Sequence, residues 1–181
     1  MTKQRTIDNP TSVPGSSYFN PAPAGVTVKT MIERGDPYAA SEFYNLEITL
    51  LEFSRGKEAW EQIRAQGALD ESPKANFDYI LACIRFGYFL KGRGFGNQAH
   101  KVTKDQFAAV SADGNTQYEI PTVSRLPEPS LTDRVFSPGE SREGWILLQV
   151  PKEDKKPLLI FKRDNVDGIY AIWGYIWFQL Y

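Results

Sequence analysis

The stretch that most constrains this chain is Leu131 to Phe161. It reads strand, Ser-Pro-Gly-Glu turn, strand, charged turn, strand. Ile146, Leu148 and Val150 alternate with Leu147 and Gln149, the period-2 pattern of a strand with one buried face. At Ser137-Pro138-Gly139-Glu140 the proline presets φ and the glycine tolerates φ > 0, so a turn is expected. Pro151 after Val150 ends the strand, because proline brings no N–H to a ladder.

The rest of the chain repeats that theme. Val26 to Ile32 reads as a first strand, broken by Gly35-Asp36-Pro37. Phe43 to Phe53 reads as a second, with Leu46, Ile48 and Leu50 on one face and Glu47 and Thr49 on the other. Lys57 to Gln66 switches period: Trp60 and Ile63 are three apart and Gly67 stands at C′, the pattern of a short amphipathic helix. It is expected to lie over the open end of the sheet. Phe77 to Leu90 is a long strand, with Ile80, Ala82, Ile84 and Phe86 on one face and Cys83 and Arg85 on the other. Asp113-Gly114 between Gln106–Val110 and Gln117–Ile120 is a hairpin signal. Many strands, closely spaced turns and a single helix predict an all-β protein: an antiparallel β-sandwich with one short helix between the second and third strands; the resemblance given below implies that the sandwich is immunoglobulin-like. Residues 1–24, rich in Thr, Ser, Asn and Pro, are expected as a disordered polar tail or stalk, and 25–181 as the domain.

Composition narrows function by exclusion. The net charge of −1 gives no global attraction to nucleic acid or to an anionic membrane. Cys83 is the only cysteine and His100 the only histidine. One chain therefore has neither an intrachain disulfide nor a cysteine-based zinc site, and a Ser-His-Asp triad would have to use His100, which lies in a Gly/Asn/Gln-rich loop. Cys83 carries no surrounding motif and reads as an inert thiol. Lys91 to Gln98, with Gly92, Gly94 and Gly96, matches neither the phosphate loop nor the dinucleotide fingerprint. Asp113 and Asn115 lack the oxygen-rich repeat of a calcium loop. Asp133, Glu140 and Glu143 cluster in sequence, but as turn carboxylates they are read as solvated charge and not as a glycosidase pair. Neither a catalytic residue, a metal site nor a cofactor is expected, and Lys152 to Lys156 reads as a solvated turn.

The carboxyl end is different. Ile169 to Tyr181 carries no charge and is too short for a transmembrane helix; its β-branched and aromatic content favours a strand. Tyr170, Ile172, Ile176, Phe178 and Leu180 suit a core. Trp173, Tyr175 and Trp177 point the other way. That row is either covered, by the helix around Trp60 or by the amino-terminal segment, or it is a ligand-binding platform for carbohydrate or peptide, or a dimer seam.

Phe136-Ser137-Pro138-Gly139-Glu140, then Gly144-Trp145, Val150-Pro151 and Leu158 to Phe161, resemble the telokin-like, immunoglobulin-fold domains of unknown function found in bacterial surface lipoproteins and secreted proteins. Glu47 to Gly56 with Ala59-Trp60, Tyr79 to Phe86, and Phe107 to Tyr118 fit the same order, so the resemblance spans about Val26 to Phe178. It implies an extracytoplasmic binding or scaffolding domain, behind a polar stalk and a lipid anchor upstream, with a protein or glycan partner and no established active site. Met1-Thr2-Lys3-Gln4-Arg5 leads into polar residues and not into an apolar stretch, so these residues are not read as an export signal; a signal or anchor upstream of them is expected, with a cytoplasmic location as the alternative.

Overall fold

The computed structural model describes residues 13–35, 41–67, 72–163 and 175–181. In chain order the elements are β1 (Thr27–Arg34), β2 (Glu42–Arg55), α1 (Lys57–Ala65), β3 (Phe77–Lys91), β4 (His100–Lys101), a 3₁₀ turn (Lys104–Gln106), β5 (Phe107–Val110), β6 (Val135–Phe136), β7 (Glu140–Pro151), β8 (Leu158–Phe161) and β9 (Ile176–Gln179). The fold is all-β and sandwich-like, with its one described α-helix between the second and third strands, as the patterning predicts.

The larger layer is an antiparallel sheet ordered β1-β2-β3-β7, and the facing layer is ordered β5-β8-β9. β3 sits between β2 and β7, and its register sets Ile80 beside Leu148 and Ala82 beside Ile146. Because side chains alternate along a strand, that register turns Ile80, Ala82, Ile84 and Phe86 inward together. They meet Phe107, Leu159, Phe161 and Phe178 of the smaller sheet in one apolar interior. Phe86 lies 5.0 Å from Phe136 and 5.8 Å from Phe161, ring centre to ring centre. Each such side chain, removed from water, contributes about 1.5–3 kcal/mol.

Leu131 to Phe161 forms β6, β7 and β8 in the expected order, but the pairing is not that of successive hairpins. β6 pairs with β4, setting Phe136 opposite His100. The Ser-Pro-Gly-Glu turn therefore carries the chain from this two-stranded ladder into the large sheet. Gly139 takes φ 95° there, and its N–H donates to the Tyr88 carbonyl at 2.7 Å.

Three expectations need correction. The helix does not close the end of the sandwich. Ala59 and Ile63 are fully buried against Tyr79, Leu81 and Leu147, outward-facing residues of β3 and β7, so α1 covers the outside of the large sheet. Residues 13–24 are not the disordered tail expected of them: Ala22 is fully buried and bridges to Phe178 in parallel. Its N–H donates to the Trp177 carbonyl, and its carbonyl accepts from Gln179 N–H. The free edge of β9 offers backbone groups that must be paired, and residues 13–24 supply partners; residues 1–12 lie outside the described residues.

The Asp-Gly turn forms, but its return strand is a single bridge, Val110 to Gln117. The charged loop is the solvated turn expected, with Lys152, Glu153, Lys155 and Lys156 exposed, and distant residues anchor it. Arg55 donates to the carbonyls of Pro151 and Asp154 and to the Asp78 carboxylate. The Tyr118 hydroxyl donates to Asp154 at 2.8 Å.

Candidate functional site

The outward side of the small sheet carries Ala108, Val110, Leu158 and Ile160, all buried, with Tyr18 and Trp177 packed against them. Nothing in the alternation of β9 alone would cover this face. The cover is the turn at residues 15–20, folded back by hydrogen bonds between Gly15 and both Asn20 and Trp177.

Aromatic rings accumulate there. Tyr18 and Trp177 lie 5.9 Å apart, Tyr175 and Trp177 6.1 Å, Tyr18 and Phe19 3.9 Å. Trp177 and Tyr18 are half-buried and pack on the sheet. Phe19 is 81% exposed and Tyr175 48%. The result is a half-buried base with two accessible rings beside it. Trp173, the third member of the predicted row, lies outside the described residues. Tyr18 and Phe19, which complete the cluster, sit at the other end of the chain, and only the adjacency Tyr-Phe in a polar stretch marks them in the sequence.

One glycine lets the cluster close. Gly114 has φ 72°, and a Cβ there would stand 3.1 Å from Trp177 Cη2 and 3.2 Å from Tyr18 Cγ. The Asp-Gly turn thus passes under both rings. It sets Asp113 and Asn115 beside them. Asp113 Oδ1 accepts from the Ser111 hydroxyl at 2.5 Å and from Asn115 N–H at 3.1 Å; Oδ2 accepts from the Asn115 amide at 2.9 Å. The Ser111 hydroxyl first, then the Asn115 donors, hold the Asp113 carboxyl below its ordinary pKa. The Asp113 carboxylate is ionised and held by the turn's own donors.

The other residues singled out by type are committed elsewhere. Asp133 pairs with Lys101, Glu140 with Arg142 and Glu143 with Arg85, so the three carboxylates face three different cations. Cys83 lies on the outer face of β3, 8% exposed, and burial with the nearby Glu143 and Glu52 pushes its thiol pKa up. Among the described residues no group of His, Cys, Asp and Glu could hold a metal ion, and no helix is long and apolar enough to cross a membrane.

His100 is not in a loop but in β4, fully buried. Its ring stacks on Phe86, centres 5.4 Å apart and 9° from parallel. Nδ1 accepts from an Arg34 amino group at 2.5 Å. Burial, and then the Arg34 charge, lower its pKa to about 3, so the imidazole is neutral at pH 7. The same end of the molecule holds the glycine-rich loop in place. Glu42 Oε1 accepts from the N–H groups of Phe95 and Gly96, and Tyr44 donates to Glu42 Oε2. The Tyr88 hydroxyl donates to the Gln98 carbonyl. These groups brace a loop.

Comparison of this chain with family models, with curated proteins and with solved structures found no match.

Proposed function

We propose that this domain is a non-enzymatic binding module, displayed outside the bacterial cytoplasm, whose ligand surface is the aromatic platform on the small sheet. The observation that carries this is the pairing of exposed Phe19 and Tyr175 with the half-buried rings of Tyr18 and Trp177. Flat rings at low conformational cost, next to outward polar groups, suit the faces and hydroxyls of sugar rings. The Ser111–Asn115 turn provides the polar side. The sandwich-like fold and the resemblance to telokin-like surface domains support extracytoplasmic display and a scaffolding role beside it.

Titration calorimetry against soluble glucose-, xylose- and N-acetylglucosamine-based oligosaccharides tests the ligand class. One class should bind, and the Phe19→Ala/Tyr175→Ala double variant should weaken it by roughly tenfold, about 1.4 kcal/mol. Both side chains are exposed, so the fold is unaffected. Unchanged affinity in that variant, or no heat with any glycan, removes the platform reading. Protease treatment of intact cells carrying the full gene tests display: a protected domain overturns it.

A further inference from the structure

The two layers end in four edge strands, β1 and β7 of the large sheet and β5 and β9 of the small one. Three of these edges are bridged by other parts of the chain. Ala22 bonds to β9 at Trp177 and Gln179, and Tyr118 N–H donates to the Ala109 carbonyl of β5 at 2.9 Å. β7 is bridged at Trp145, whose N–H donates to the Pro129 carbonyl and whose carbonyl accepts from Leu131 N–H. β1 is the exception. Among the described residues, no bridge or turn hydrogen bond reaches Thr27 to Glu33 from beyond β2. The strand runs for eight residues without proline, glycine or a register shift. An edge of that kind presents a row of backbone donors and acceptors to a further strand.

The side chains decide which strand fits. Val28 and Ile32 belong to the core, so Lys29, Met31 and Glu33 share the outer face. A lysine on an edge ordinarily deters pairing. Here a two-fold axis through Met31 sets Lys29 opposite Glu33 of a second copy, at both ends of the joint. An axis at Lys29 or Glu33 would set like charges opposite each other, and one at Thr30 or Ile32 would set each charge opposite an uncharged residue. Lys29 holds Glu47 at 2.6 Å but is 71% exposed, and an ammonium has three donors. Glu33 has no cation partner among the described residues. Lys91 reaches Met31 Sδ at 3.3 Å. The charges flanking the joint in each copy are thus Lys29, Lys91, Glu33 and Glu47, two of each sign, and pairing gathers no net charge.

We infer that β1 is a self-pairing edge: a second copy of this chain adds to it antiparallel, about a two-fold axis at Met31, and joins two large sheets into one. Main-chain hydrogen bonds supply the affinity of such strand addition, and a self-complementary patch closes the assembly at two copies. The inference does not depend on the aromatic platform, which lies on the other sheet.

Sedimentation velocity of the whole chain from about 1 μM to about 1 mM tests it, the span expected of a small contact. Monomer and dimer should exchange reversibly within that range. Lys29→Glu, which sets like charges opposite, should weaken the dimer at least roughly tenfold. Lys29→Glu/Glu33→Lys should restore it to within about threefold. Lys29 and Glu33 stand about 13 Å apart along one strand, so that rescue reports contact between copies and not repair within one. The Lys29–Glu47 pair is lost in both variants alike. Met31→Cys should cross-link two copies under mild oxidation, and Thr27→Cys should not; the parent chain, whose Cys83 is buried, is the control. A monomer at every concentration overturns the inference. So does a dimer that Lys29→Glu leaves intact or that the charge exchange fails to restore, and so does equal cross-linking through Thr27→Cys. A dimer dispersed by Phe19→Ala/Tyr175→Ala overturns it by placing the contact on the platform.

Discussion

The outer faces of the two sheets solve the same problem in opposite ways. On the large sheet, Tyr79, Leu81 and Leu147 are roofed by α1, which follows β2 after a single residue, Gly56. Beyond the helix the face turns ionic, with Arg85 on Glu143 and Lys29 on Glu47. On the small sheet, the strands Phe107–Val110 and Leu158–Phe161 are buried on both sides. The outward roof there is Tyr18 and Trp177, brought from the two ends of the chain. A helix made locally leaves little apolar surface over. A roof of two aromatic rings leaves their neighbours, Phe19 and Tyr175, in water. That is why binding is assigned to the small sheet.

Breaking the roof of the large sheet should have the greatest effect. Ile63 is fully buried between the helix and the sheet, and Ile63→Ala should cost about 2–4 kcal/mol through lost burial and the cavity left behind. Urea unfolding measures it. A loss under about 0.5 kcal/mol, the range of an ordinary surface substitution, would mean that α1 is not a roof and that the contrast between the faces is false.

Between the two faces, the interior has its own titration. His100 is neutral and buried with its pKa lowered to about 3 from 6.5. Unfolding lets it take up a proton below pH 6.5, so the unfolded state binds more protons throughout the window from 6.5 to about 3. Its contribution is fully present above pH 6.5 and is lost as pH falls through that window, by at most about 1.4 kcal/mol per pH unit. His100→Asn keeps an acceptor for Arg34 without the titration. Stability compared at pH 6.5 and pH 5, above the range of most carboxylates, should show a steeper fall in the parent than in the variant. Equal slopes would place the acid sensitivity elsewhere.

Removing the roof of the small sheet should cost less, because Tyr18 is only half-buried. Tyr18→Ala should destabilise by about 1–2 kcal/mol on area grounds and shift the emission of Trp177 to the red. The signal is isolated by subtracting a Trp177→Phe background, since the chain has four tryptophans. An unshifted Trp177 would show that the amino-terminal turn does not cover it.

The contrast also explains which parts of the molecule are legible in the sequence. β2, β3 and β7 are long and face two different environments, so their alternation names the inner residues directly. Even there, the irregularity between Leu50 and Glu52 shifts parity, so Phe53 turns inward despite its odd spacing from Leu50, and no local rule marks it. Helix α1 is visible from Trp60, Ile63 and Gly67, but not the face it covers, since that depends on where the chain goes after Gly56. The strands of the small sheet are continuous apolar runs, which fix burial without fixing a partner. Ala22 reads as tail because its burial comes from the backbone edge of β9, more than 150 residues away in sequence. The anchors of the solvated loop at 152–156 are illegible for the same reason: Arg55 and Tyr118 are distant in sequence. Of the site, Tyr175 and Trp177 were readable from strand period, whereas Tyr18, Phe19 and the fit of Gly114 depend on tertiary proximity.

The smallest effect belongs to the ionic part of the large sheet. Arg85 and Glu143 are directly paired across β3 and β7, with Arg85 Nε and Nη2 both donating to Glu143 Oε1, at 3.0 and 2.6 Å. Both side chains are about half exposed. Solvent screening and the entropy of holding two long side chains should leave a coupling of about 0.2–1 kcal/mol, falling further in high salt. A double-mutant cycle with Arg85→Gln and Glu143→Gln measures it without emptying the surface. A coupling above about 2 kcal/mol would mean that the charged half of this face stabilises the sheet as the helix does, and the two outer faces would then differ in chemistry but not in how much each contributes.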